Sequence, residues 1–172
     1  WWNYEWLYIS TIIQIIASQK NKTKGANSLY CQTTRSIRVS VEITFLEKES
    51  SPRESHFVWA YAIKIENLGT VKVQLINRTW SITDADGQTL IVKGPGVVGE
   101  QPIIQPGESF QYTSGTPLKT PSGLMVGVYE MSDPQGIKFD VNVPAFSLDS
   151  PHQTVKLNWQ KYRLSWGQKT SR

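Results

Sequence analysis

The sequence predicts an all-β protein, an antiparallel sandwich or barrel, on three observations. Apolar and polar residues alternate with period two from Ser36 onward, turn-forming residues recur at short regular intervals, and no helical run separates the strands. The 172 residues suffice for one ordinary domain with tails, and a chain of that size buries well over half of its unfolded surface. With 39% hydrophobic and 19% charged residues the composition is that of a folded globular protein.

Ahead of the strands lies a different pattern. Trp2, Trp6, Ile9, Ile13 and Ile16 recur at helical spacing, with Ser10, Thr11 and Gln14 on the opposite side, which is the signature of an amphipathic helix. Two accounts of it stand side by side: a membrane-surface or partner-docking role, and a helix resting on the domain or a disordered extension. Leu7 to Ala17 is too short an apolar stretch to span a bilayer and no Lys or Arg precedes it, so neither a membrane span nor a secretory signal is expected. Gln19 to Thr34, rich in Lys, Asn, Ser and Thr, reads as a linker. Residues 1–36 are therefore taken as an extension, 37–151 as the domain and 152–172 as a basic tail.

Within the domain, Ile37, Val39, Val41, Ile43 and Phe45 alternate with polar residues, as a strand does with one face on a core. Phe57, Trp59, Tyr61, Ile63 and Ile65 repeat the pattern. Asn67-Leu68-Gly69-Thr70 supplies turn chemistry and predicts a hairpin into the next strand. There Val71, Val73 and Leu75 are odd-numbered whereas Trp80 and Ile82 are even-numbered, so a bulge is expected near Asn77 to Thr79. Turns at Asp84–Gly87, Pro106–Glu108, Thr120–Gly123 and Asp133–Gly136 introduce strands at Thr89–Val92, Phe110–Thr113, Leu124–Met131 and Ile137–Val143. Beyond Pro151, Val155, Leu157 and Trp159 alternate weakly, as an edge strand or a disordered tail would.

The net charge of +4 is unevenly distributed. Residues 1–38 carry five Lys/Arg and one acid, residues 39–150 eight and thirteen, and residues 151–172 five and none. The domain is thus mildly acidic between basic ends, which argues against a duplex-binding face and leads us to expect no nucleic acid on the core. Cys31 is the only cysteine, so no intrachain disulfide can form, and a reducing cytoplasm is the expected compartment.

The run Gly94-Pro95-Gly96-Val97-Val98-Gly99-Glu100-Gln101-Pro102, then Pro106-Gly107-Glu108, Phe110-Gln111-Tyr112-Thr113-Ser114-Gly115, Thr120-Pro121-Ser122-Gly123 and Pro144-Ala145-Phe146-Ser147-Leu148, resembles the ApaG family, also named CorD. Upstream, Tyr61-Ala62-Ile63, Val73-Gln74-Leu75, Arg78, Trp80 and Ile82-Thr83-Asp84 share the resemblance, which spans roughly residues 37 to 151. It implies an immunoglobulin- or fibronectin-type-III-like sandwich, and a bacterial protein genetically associated with cobalt resistance and magnesium efflux. In larger eukaryotic proteins, F-box proteins among them, a similar domain serves protein contacts. The 36 residues ahead of the resemblance are too few for an F-box, so a single-domain protein is expected. Thr79 and Thr116 stand where many members carry His and Cys.

Gly94, Gly96 and Gly99 satisfy the Gly-x-Gly-x-x-Gly spacing that cradles pyrophosphate at a helix N-terminus. Pro102 and Pro106 follow too closely for a helix, so the glycines read as loop-shaping residues. An anion held by loop amides, with Arg78 or Lys93 assisting and Glu100 opposing, is the competing account. Asp84, Asp86 and Gly87 do not fit the calcium-loop spacing and read as a plain turn. His56 and His152 stand apart, so no metal site and no catalytic group are expected, nor any cofactor. The resulting expectation is a non-catalytic module that binds an as yet unidentified protein partner. Its binding residues are expected at Gly94, Gly96, Gly99, Glu100, Gln101, Arg78 and Trp80, with a phosphate- or nucleotide-binding protein or hydrolase built on the same loop as the alternative.

Overall fold

The computed structural model describes residues 29–152. The amphipathic pattern at 2–16 and the alternation at 155–159 lie outside them. Nine strands follow in order: β1 (Leu29–Thr34), β2 (Ile37–Phe45), β3 (Phe57–Asn67), β4 (Val73–Asp84), β5 (Thr89–Pro95), β6 (Ile103–Ile104), β7 (Ser109–Leu118), β8 (Ser122–Ser132) and β9 (Lys138–Asp149). All pair antiparallel, in two sheets ordered β1-β2-β3-β7 and β5-β4-β8-β9, with β6 beside β4. The all-β sandwich read from the period-two pattern is thus the observed fold.

The alternating residues meet between the sheets. Val39, Val41, Trp59, Ile63 and Ile65 of one sheet close on Leu75, Trp80, Met125, Tyr129, Met131, Val141 and Phe146 of the other. At ~25 cal/mol per Å² of apolar area removed from water, such interdigitation is the main driving force of a sandwich. A smaller cluster of Leu46, Val58 and Ala60 lies apart from this core. There the chain makes two 3-10 turns, Glu47–Glu49 and Pro52–Glu54, and the Ser50 side chain accepts from Val58 N at 3.0 Å.

Three expectations change. Residues 29–34, assigned to a linker, form β1, paired with β2 over its whole length. Its turn uses Arg35 (φ 46) and Ser36 (φ 64), two residues in the left-handed region with neither Gly nor Asn between the strands. The Asn67–Thr70 segment makes no hairpin, because β3 and β4 belong to different sheets. Buried Asn67 organises this crossover: its amide donates to Val71 O and Ile104 O, and its Oδ1 accepts from Gly69 N. The register shift in β4 falls between Leu75 and Asn77, one residue ahead of its expected place.

One side of the sandwich is stitched shut and the other is open. Across the β1/β9 seam, Tyr30 Oη and Ser147 Oγ are 3.0 Å apart and Asn142 N donates to Thr34 Oγ1 at 3.3 Å. At the far side β5 and β7 each end their sheet with a neighbour on one side alone among the described strands.

Candidate functional site

The glycine-rich segment sits at the open side and begins inside a strand. Gly94 and Pro95 close β5, opposite Arg78 and Asn77 of β4, so Gly94 is not a loop residue as the sequence suggested. A side chain at Gly94 would meet Arg78 Nη1 at 3.2 Å. Its absence lets the guanidinium cover the backbone and donate to Pro95 O (3.1 Å) and Gly96 O (2.9 Å).

Beyond β5 the chain reverses at once. Val97 and Glu100 exchange both backbone hydrogen bonds, at 2.8 and 2.9 Å, around Val98 (φ 47) and Gly99 (φ 81). Positive φ at both central residues is the pattern of a type I′ turn. Gly96 (φ 59) is the tightest point, since a Cβ there would lie 2.1 Å from Glu100 O. Val98 is the unusual one: a β-branched residue in the left-handed region costs about 1–2 kcal/mol, offset by its packing against the core. The carbonyl of Ile76, at the bulge, accepts from Gly96 N and from Gln101 Nε2, both at 2.8 Å.

The amides of Gly96, Val97 and Glu100 therefore already donate within the fold, and Arg78 holds two loop carbonyls. The arrangement is a closed hairpin staple rather than a row of convergent donors, and no helix follows it. Exposed Glu100 adds negative charge beside it. Trp80 is no surface anchor: it is 3% exposed, edge-on to Tyr61, Tyr129 and Phe146, and its ring fills the space beside Gly127. Behind Arg78, Tyr112 Oη of β7 and Tyr129 Oη of β8 share a 2.6 Å hydrogen bond between the sheets. Burial pushes both phenols well above the ordinary tyrosine value, against a smaller opposing pull from the Arg78 charge.

Ser114 and His56, a hydroxyl and a base that nucleophilic catalysis would need side by side, do not meet. Ser114 pairs with Tyr61 and Leu118 with Phe57, so His56, just before Phe57, lies more than four residues along the strand from Ser114, ~13 Å or more. His152 Nε2 instead lies 2.6 Å from Glu47 Oε1. Among the described residues no three His, Cys, Asp or Glu side chains group as metal ligands would, and no helix is long and apolar enough to cross a membrane.

What the sequence did not reveal is the exposure of β5 and the face behind it. Leu90 and Ile91 are 61% and 51% exposed. Register places Ile91 beside Ser81 and Ser81 beside Val126, with Thr89, Thr83 and Leu124 in the next row. Leu124 and Val126 are 47% and 38% exposed, so exposed apolar side chains stand at the free edge and again on β8, with Ser81 and Thr83 of β4 between them. The alternation of Leu124, Val126 and Val128 against Met125 and Tyr129 carried this signal, because both sets are apolar while one face suffices for the core.

An ApaG domain model matches residues 47–133. The Protein ApaG of Paramagnetospirillum magneticum is 58% identical over 130 residues, 76% of this chain and all of that one, and the Rhodospirillum centenum protein of the same name gives the same figures. The crystal structure of a Bordetella pertussis protein described as ApaA superposes with a TM-score of 0.65 at 38% identity, over 75% of this chain and the whole of that one. The X-ray structure of a structural-genomics target, SoR45, gives 0.64 at 42% identity, over 70% and 91%.

Proposed function

The chain belongs to the ApaG domain family, and on that premise we propose that it is a non-catalytic binding module whose docking surface is the open edge β5 with the exposed Leu124 and Val126 of the outer face behind it. The observation that carries this reading is the edge itself: seven residues, Thr89–Pro95, unpaired on one side among the described strands and carrying exposed Leu90 and Ile91. An extended segment adds to such an edge through main-chain hydrogen bonds and is selected by alternate side chains. The glycine segment then serves as the staple that fixes the end of β5. The family's association with cobalt and magnesium, which the resemblance brings, is exercised through the partner, in the cytoplasm of a bacterium.

The test is affinity capture from a bacterial lysate with the wild-type chain and with Ile91→Lys, which charges the edge while leaving the core untouched. Partners retained by the wild type and lost by the variant are expected. Identical retention by both sinks the edge as the docking surface. Calorimetric titration with pyrophosphate is expected to give no heat of binding; saturable binding abolished by Gly96→Val replaces this reading with the anion-binding one.

A further inference from the structure

Resting on the reading of β5 as a docking edge, we propose that the strand occupying it is β5 of a second copy of this chain, related by a two-fold axis through Ile91. The argument begins with hydrogen-bond parity. In an antiparallel ladder, alternate residues turn both backbone groups toward the neighbour and the residues between turn theirs away. Asp84 N donates to Gln88 O at 3.0 Å at one end of the β4/β5 pair, and Gly96 N to Ile76 O at 2.8 Å at the other, with unbroken register between. Even-numbered residues of β5 therefore face β4. Thr89, Ile91 and Lys93 present N–H and C=O to the free side, while Pro95 has no N–H and its carbonyl is held by Arg78.

These three residues form a self-complementary set. An antiparallel copy centred on Ile91 pairs Ile91 with Ile91 and Thr89 with Lys93 in both directions, so every outward group finds its counterpart. Moving the axis by one residue along β5 places Pro95 or Gly87 of the Asp84–Gly87 turn in a pair and loses one. The side chains agree with this register. Exposed Leu90 comes against Val92 on the inner face, and the two exposed Ile91 side chains meet on the outer face. Lys93, the sole charged residue of β5, lies opposite Thr89 and alongside the turn bearing Asp84 and Asp86. No charged residue of β5 is therefore paired with a like charge of the other copy. β7, the other open edge, is polar at Ser109 and Gln111, and Pro117 interrupts its donors.

A seven-residue edge buries less than the ~1,600 Å² of a standard interface, so the pairing is reversible and concentration-dependent. Sedimentation equilibrium of the full chain across the micromolar range is expected to show monomer passing to dimer. Ile91→Pro removes an N–H that points away from β4, so the variant keeps its fold by circular dichroism and stays monomeric. In a Cys31→Ser background, Ile91→Cys is expected to cross-link to dimer under mild oxidation, whereas Leu124→Cys, two strands from the axis, does not. A wild type that is monomeric throughout, an Ile91→Pro that dimerises as well as the wild type, or equal cross-linking at both positions overturns the proposal. A monomeric wild type that still captures an Ile91-dependent partner removes the self-pairing and leaves the docking edge standing.

Discussion

Gly96 illustrates how much a single position can determine at the residue scale. Its φ of 59 and a hypothetical Cβ 2.1 Å from Glu100 O make two independent demands for glycine, whereas Gly107 (φ 79) has open space around it. Gly96→Ala is therefore expected to cost about 2–4 kcal/mol in urea denaturation and Gly107→Ala about 1–2, the strain of the backbone alone. Equal costs would mean that the Val97–Glu100 turn yields freely. A second residue sets an acid limit. Glu66 accepts from Arg38 Nε at 2.9 Å and Lys64 Nζ at 2.7 Å, and these bonds hold its carboxyl at about 2 against the ordinary 4.5. Because the folded value is the lower one, the contribution is present above about pH 4.5 and is lost as pH falls toward about 2. Stability measured against pH is expected to drop more shallowly in that window for Glu66→Gln than for the wild type. Residues also explain what stayed hidden: Arg35 and Ser36 adopt positive φ without the Gly or Asn that advertises a hairpin, Arg35 lying 5.6 Å over the Phe139 ring. For that reason β1 was not legible.

Between elements, the Tyr112–Tyr129 hydrogen bond joins β7 to β8 across the core. Removing one hydroxyl leaves the other buried without its partner, so Tyr112→Phe is expected to cost about 1–3 kcal/mol. The double Tyr112→Phe/Tyr129→Phe variant leaves no orphan, and its cost is expected to fall short of the sum of the single changes. Strict additivity in a denaturation cycle would show that the pair does not act as a unit. Much at this scale was readable in the sequence, because alternation in β2, β3 and β9 reports which face is buried whatever the partner strand. Partner choice was not readable. Asn67-Leu68-Gly69-Thr70 has the composition of a hairpin, yet the Asn67 side chain bonds to Val71 and Ile104 and carries the chain into the other sheet. The candidate site shows the same limit. Gly96 and Gly99 shape the loop as the sequence suggests, and the alternation that sets Trp80 beside Ile82 marks it as inward-facing; but Gly94 closes a strand, and that Arg78 takes two loop carbonyls depends on β4 lying beside β5.

The whole molecule is asymmetric in how its two sides are closed, and β1 is the cause. β1 packs against β9 as well as pairing with β2, and it supplies Tyr30 to Ser147 and to the Phe146 ring at 6.2 Å, and Thr34 to Asn142. The sequence placed the domain boundary at residue 37, behind this strand, so two truncations separate the accounts. Residues 29–152 retain the seam; residues 37–152 expose an edge of β2 and uncover the rim of the core at Phe146. With two side-chain hydrogen bonds at about 1 kcal/mol each and apolar contact at about 25 cal/mol per Å², the shorter chain is expected to be less stable by at least ~2 kcal/mol. In parallel, its β9 amides should exchange hydrogen faster than those of β3, which remains paired on both sides. Equal denaturation midpoints for the two truncations would mean that β1 is an appendage and the domain begins at residue 37. A lower midpoint with accelerated exchange confined to β2 and β9 would make β1 the clasp of the closed side.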